Sequence, residues 1–185
     1  MKEVIILAVG PSYVECPYDA EVWACWSTII RDDHPAQRID KLITVHSQQM
    51  ECPSQAWWDY LHRAQKRLGF EIITPEPWEG IKTTPYPIED ILKTFGTAYF
   101  VDSVCYMIAL AIYQGYEMIR FYGVDCRAYA YAVTERACTE FWCGVARGKG
   151  LQLRIAGTLC NVLETGSQPV KLPMDPYDWK LCLKT

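Results

Sequence analysis

No stretch of this sequence is apolar for long enough to cross a bilayer. The longest runs, Val4–Val9 and Val104–Tyr113, fall well short of the ~20 residues a spanning helix needs. No small-residue cleavage pattern follows the first run, so a secretory signal is not expected either. No G-x-G-x-x-G and no G-x-x-x-x-G-K-[ST] occurs, which removes the standard dinucleotide fingerprint and the ordinary P-loop. No G-x-S-x-G occurs, and no Cys-His nucleophile arrangement is recognisable. Histidine is scarce, with three in 185 residues and none after His62. Basic residues form no stripe, and the formal net charge is −4, which disfavours a duplex nucleic-acid partner. Internal repeats and low-complexity tracts are absent.

Cysteine is the exception to this scarcity. There are nine, an odd number, with no C-x-x-C pair, scattered among apolar neighbours. Zinc sites need closer paired ligands, so no metal is expected. Disulfide frameworks belong to smaller secreted domains. The expectation is reduced, buried thiols in a cytoplasmic protein. With 50% hydrophobic and 22% charged residues, the chain can build a substantial core, and 1–185 reads as one domain.

Strands are expected at Val4–Val9, Glu21–Trp26, Lys41–His46, Phe70–Ile73, Met118–Tyr122 and Leu151–Ile155. Their continuous apolar character suits a sheet covered on both faces. Helices are expected between them. Ser54 would cap one running to about Leu68, with Gly69 as its stop. Asp102 or Ser103 would cap Val104–Gln114, ended by Gly115, and Thr134 would cap one to about Gly148. Such alternation predicts an α/β fold, a Rossmann-like three-layer sandwich with a mostly parallel central sheet. Two segments look different. Residues 75–97, rich in proline and aromatics, read as a loop excursion or a lid over a site. The tail, 157–185, is expected to pack on the domain through Trp179, Leu181 or Leu183.

Open parallel sheets bind ligands at the carboxyl ends of their strands. That rule selects Gly10-Pro11-Ser12, Trp26-Ser27, His46-Ser47 and Gly123-Val124-Asp125. Backbone amides near Gly10 and Ser12 would suit a phosphate or carboxylate, unless the segment is a plain strand-to-helix turn. His46 is a candidate general base or ligand contact, the plain alternative being a structural or surface histidine. Asp125 would bind ribose hydroxyls or a metal, or act as a catalytic base, from outside the core, or else cap local backbone. Tyr129 and Tyr131 are candidates for stacking on a base or sugar. On the Thr134–Gly148 helix, a wheel puts Ala137, Phe141 and Val145 against the sheet, with Cys138 and Trp142 beside them. Arg136, Glu140, Cys143 and Arg147 then point outward, with Arg136 and Glu140 as an i,i+4 pair. Glu140 would act as a base, and Arg147 would hold an anion, if that face looks into the cleft or onto a second subunit.

Gly10-Pro11-Ser12, together with the stretch from Ser103 to Asp125, resembles a module shared by two groups. One is the bacterial sialyltransferases of the Campylobacter type. The other is the MptE-like family, named for a 6-hydroxymethylpterin diphosphokinase. Small uncharacterised bacteriophage proteins resemble the pattern too, including Tyr129-x-Tyr131 and Ala146–Gly150. The resemblance implies a nucleotide or nucleotide-sugar held by the first-strand loop, with Ser103 and the Gly123 turn across the cleft. The sialyltransferases carry asparagine where this chain has Val9, an asparagine after the second strand where it has Cys25-Trp26-Ser27, and their histidine base after the G-[IV]-D strand. Three functions follow as expectations: a glycosyltransferase-like transferase, a non-catalytic nucleotide-binding protein of phage type, or a pterin or nucleotide pyrophosphate-transfer enzyme. Mg²⁺ enters only under the last. Partners are then a small-molecule nucleotide or nucleotide-sugar, with no membrane, and a homo-oligomer stays open.

Overall fold

The computed structural model describes residues 1–30, 34–126 and 132–156. Among these residues, seven strands form one sheet in the order β5-β4-β3-β2-β1-β6-β7, every neighbouring pair parallel. They are β1 (Glu3–Leu7), β2 (Glu21–Ala24), β3 (Lys41–Ile43), β4 (Glu71–Thr74), β5 (Thr84–Pro85), β6 (Met118–Tyr122) and β7 (Gln152–Ile155). From β1 the chain winds outward through β2 to β5. It then returns to the other side of β1 as β6 and continues to β7. The direction of winding therefore reverses at β1, and such a switch point leaves a crevice at the carboxyl ends of the strands.

The helices follow the expected alternation: α1 (Trp26–Ile29), α2 (Gln48–Glu51), α3 (Gln55–Leu68), α4 (Ile88–Phe95), α5 (Ser103–Tyr113) and α6 (Ala132–Gly148). A 3₁₀ turn, Pro11–Glu15, follows β1. Both faces of β1 are covered, which is why its sequence is apolar without alternation. Val4 and Ile6 enter a cluster with α5 and α6 residues such as Met107, Leu110 and Trp142. Ile5 and Leu7 enter the opposite cluster with Leu61 and Ala64 of α3.

Local signals explain the helix ends. The Asp102 side chain accepts from the Cys105 amide at 2.9 Å and starts α5. Gly69 ends α3 with φ of 75°, a left-handed turn that glycine adopts without strain. Three strands stop earlier than their apolar runs suggest. Val9, Trp26 and His46 all lie beyond the sheet, because the chain turns out of the ladder there. The Thr28 hydroxyl, donating to the Leu7 carbonyl at 3.0 Å, helps to close β1 at that point.

Residues 75–97, expected as a loop excursion or a lid, hold regular structure. They supply the edge strand β5 and the helix α4, and they bury Trp78, Tyr86 and Ile91. Proline at the sheet edge is tolerated because no further strand needs its amide. The Tyr86 hydroxyl donates to the Tyr106 carbonyl at 2.9 Å, which pins this segment to α5.

The face of α6 also differs from the wheel. Cys138, Thr139, Trp142, Cys143 and Ala146 are buried, whereas Ala137 and Phe141 are exposed and Val145 is only partly covered. The helix is rotated by about one residue, roughly 100°. Trp142 decides the rotation. Its ring packs on Phe95 and Phe100 at 5.2 and 4.8 Å, and its Nε1 donates to the Tyr99 carbonyl at 2.7 Å. Phe141 is left to meet the Tyr99 ring at the surface. The Arg136–Glu140 pair is present at 2.8 Å, half-exposed. Glu140→Ala should therefore cost only about 0.3–0.5 kcal/mol, read from chemical denaturation, and a loss above about 1 kcal/mol would contradict this.

Seven cysteines are free among the described residues. No helix among those residues is long and apolar enough to cross a membrane. The expectations for Tyr129, Tyr131, Trp179, Leu181 and Leu183 lie outside the described residues.

Candidate functional site at the switch point

Two loops meet where the sheet reverses its winding. One follows β1 and carries Gly10-Pro11-Ser12; the other follows β6 and carries Gly123-Val124-Asp125. They are locked together by hydrogen bonds across more than 110 positions of sequence. The Ser12 amide and hydroxyl both donate to Asp125 Oδ2, at 3.0 and 2.8 Å. The same hydroxyl accepts from the Gly123 amide at 2.8 Å. The Gly10 amide donates to the Gly123 carbonyl at 2.7 Å.

The glycines permit this approach. A Cβ on Gly10 would lie 2.4 Å from Asp125 Oδ2, and one on Gly123 would lie 2.3 Å from the Ala8 carbonyl oxygen. G-P-S and G-V-D are thus two halves of one interlocked structure.

This lock corrects two expectations. The amides near Gly10 and Ser12 are not open to an anion: Gly10 and Ser12 donate as above, Tyr13 donates to the Gly10 carbonyl, and Pro11 has no N–H. Nor does Asp125 lie outside the core. It is 3% exposed and Ser12 is 2% exposed, both inside a buried polar network.

Beside the lock opens a cleft of about 570 Å³, a volume suited to a small ligand. Gly10, Pro11, Trp26, Ser27, His46, Gly123 and Asp125, from the strand-end rule, all line it, as does Ser103, which the resemblance suggested. Glu140 and Arg147 do not line it. The rotation of α6 presents Glu135 there instead.

Glu51, Asp102 and Cys126 are further lining residues that strand-end reasoning did not select. A signal for Glu51 existed. Ser47 is a helix-capping residue directly after His46, and its Oγ accepts from the Met50 amide at 3.4 Å. The single turn so started carries Glu51 back toward the histidine.

Electrostatically the cleft is acidic. Glu51, Asp102, Asp125 and Glu135 line it, and no lysine or arginine does so among the described residues. Most of these carboxylates have partners inside the protein. Asp125 takes two bonds from Ser12, Asp102 takes the Cys105 amide, and Glu51 takes Thr44 and His46. Burial pushes the Asp102 carboxyl above the usual carboxylate range. It also pushes the Cys126 thiol up to about 12, so at neutral pH this thiol is protonated and a poor nucleophile.

His46 sits at the β3 end of the cleft, its side chain half-exposed. Its Nδ1 lies 2.7 Å from Oε1 of Glu51, a residue only 7% exposed. The Thr44 hydroxyl donates to that same oxygen at 2.6 Å. Among the described residues, no three histidine, cysteine or acidic side chains gather as a metal-binding group.

A seven-stranded parallel sheet with its cleft at a winding reversal defines a Rossmann-like α/β protein. More particularly, its fold is that of the Campylobacter-type sialyltransferases. The sialyltransferase CstII from Campylobacter jejuni, in complex with cytidine-5′-monophosphate, aligns at a TM-score of 0.55 and 17% identity, over 98% of this chain and 99% of that one. The same enzyme with the substrate analogue CMP-3FNeuAc aligns at 0.51 and 18%, over 94% and 92%. The sialyltransferase CST-II in complex with a trisaccharide acceptor and CMP aligns at 0.53 and 16%, over 94% and 93%. No family model matches the sequence, and no curated protein matches it.

Proposed function

We propose that this protein binds a nucleotide-activated sugar in the cleft and transfers the sugar to an acceptor hydroxyl. The observation that carries the reading is the cleft itself. It lies at the switch point, where open α/β sheets hold nucleotides, and a histidine braced by a buried glutamate lies in its wall. The solved structures with this fold include complexes with CMP, with CMP-3FNeuAc and with a trisaccharide acceptor.

In this reading the nucleotide lies over β1 and β6, against Gly10, Pro11 and Val124. Because the loop amides are already engaged, the loop contributes shape and apolar contact rather than an anion hole. Ser103, at the first position of α5, supplies a hydroxyl and the positive end of that helix to the phosphate. Trp26 and Ser27 close the wall on the β2 side.

Calorimetric titration and thermal shift with CMP, UMP, GMP and AMP, and with their sugar conjugates, test the proposal. A ligand supplied at 100 times its Kd should stabilise by about 2.7 kcal/mol and raise Tm by roughly 5–10 °C. Release of nucleotide from the matching sugar conjugate in the presence of an acceptor should follow. If neither a nucleotide nor a sugar conjugate binds, the proposal is wrong.

A further inference from the structure

We infer that His46 is the base that takes the acceptor proton, and that Glu51 is the positioning residue that fixes which ring nitrogen does it. The inference rests on the transfer reading above but is carried by separate geometry. His46 lies beyond β3, two strands away from β1, so it stands on the side of the cleft that the nucleotide over β1 and β6 leaves open. Trp26 and Ser27 lie beyond β2, between the two, and form the wall against which an acceptor would rest.

The hydrogen bonds assign every proton in the array. The backbone N–H of His46 donates to the Thr44 hydroxyl oxygen at 3.3 Å. The Thr44 hydroxyl therefore sends its own proton elsewhere, and Glu51 Oε1 at 2.6 Å receives it. Glu51 Oε1, already accepting from Thr44, faces Nδ1 at 2.7 Å, and a carboxylate oxygen there demands a donor. The neutral imidazole must then carry its proton on Nδ1. Its lone pair is on Nε2, the nitrogen away from the buried glutamate, on a side chain that remains half-exposed in the cleft wall. A base held by a third group in one tautomer is the arrangement proton abstraction requires.

The acceptor O–H proton passes to Nε2 while the acceptor oxygen bonds to the anomeric carbon. The bond from that carbon to the phosphate oxygen breaks, and its electron pair leaves on the nucleotide phosphate. The imidazolium formed sits against the Glu51 carboxylate. Asp102, Asp125 and Glu135 are the other acidic residues lining the cleft.

Two measurements decide the matter, and the first needs no ligand. Imidazole ¹⁵N chemical shifts of the wild-type protein, taken where His46 is neutral, should show Nδ1 protonated and Nε2 bare. Free histidine prefers the opposite tautomer. Glu51→Leu, similar in volume but without an acceptor, should return His46 to the Nε2–H form. Glu51→Gln keeps an acceptor oxygen and should retain Nδ1–H. An Nε2–H tautomer in the wild-type protein overturns the inference, whether or not nucleotides bind.

The second measurement uses the sugar donor found by the titrations above. His46→Gln should lower kcat by about 10²–10⁴-fold, with little change in donor affinity. Glu51→Leu should follow it part of the way, and Glu51→Gln should recover most of the rate. Wild-type turnover by His46→Gln would remove His46 from the reaction while leaving nucleotide binding untouched.

Discussion

Gly123→Ala should leave the protein largely unfolded, or with its Tm lowered by on the order of 10 °C or more. Two costs coincide at this residue. Its φ is 71°, in the left-handed region that side chains rarely adopt, and the strain alone is about 1–3 kcal/mol. An added Cβ would also sit 2.3 Å from the Ala8 carbonyl oxygen and 2.6 Å from its carbon. Those are backbone atoms of the residue directly after β1, held there because the Ala8 amide donates to the Tyr122 carbonyl at 2.9 Å, so they have little room to retreat. Together the terms exceed about 4 kcal/mol, a large part of the stability of an ordinary domain. Gly69→Ala is the control. Its φ is 75°, yet nothing lies within 4 Å of the added Cβ. It should cost about 1–2 kcal/mol for conformation alone. If denaturation gives equal losses for the two variants, the β1–β6 contact is looser than described.

The contrast between these glycines marks the boundary between what was legible in the sequence and what was not. Gly69 announces itself locally, because a periodic helical segment stops and a glycine follows. The same local logic finds α3, the Asp102 cap of α5 and the double-covered β1, each within one or two residues. Gly123 is different, since the atoms that require it belong to residue 8. The hydrogen bonds from Ser12 to Asp125 are equally remote, and both residues read locally as turn or cap residues free to meet a ligand. In the fold Ser12 donates to Asp125 and accepts from Gly123.

The face of α6 was misread for a related reason. Cys138 and Cys143 are weak hydrophobic signals and Phe141 is a strong one. A wheel weighted by hydrophobicity therefore turns Phe141 inward, whereas the bulk of Trp142 and the pocket made by Phe95 and Phe100 set the actual rotation. Glu51 escaped because α2 is a single turn, too short to show a period. The candidates that strand ends point to did converge. The rule that finds them concerns topology, and topology was readable from the order of strands and helices.

Asp125→Ala is expected to cost about 3 kcal/mol while preserving the fold at low temperature. The side chain accepts two hydrogen bonds from Ser12, at 3.0 and 2.8 Å, and both donors are buried. Removing the acceptor strands an N–H and an O–H away from water, and each stranded donor costs about 1–3 kcal/mol. The Ser12 hydroxyl can recover part of this loss, because the Ala156 carbonyl lies 3.3 Å away. The amide has no such alternative within the lock. Asp125→Asn should lose less, about 1–2 kcal/mol, since its carbonyl can still accept but without the charge that strengthens both bonds. Chemical denaturation of the two variants, with Ser12→Ala and the double variant Ser12→Ala/Asp125→Ala, completes a thermodynamic cycle. Because Ser12 and Asp125 share one network, the double variant should lose clearly less than the sum of the singles, by about 1 kcal/mol or more. Additive losses would mean that the two residues act separately. The lock would then not be what holds the β1 and β6 loops at the mouth of the cleft.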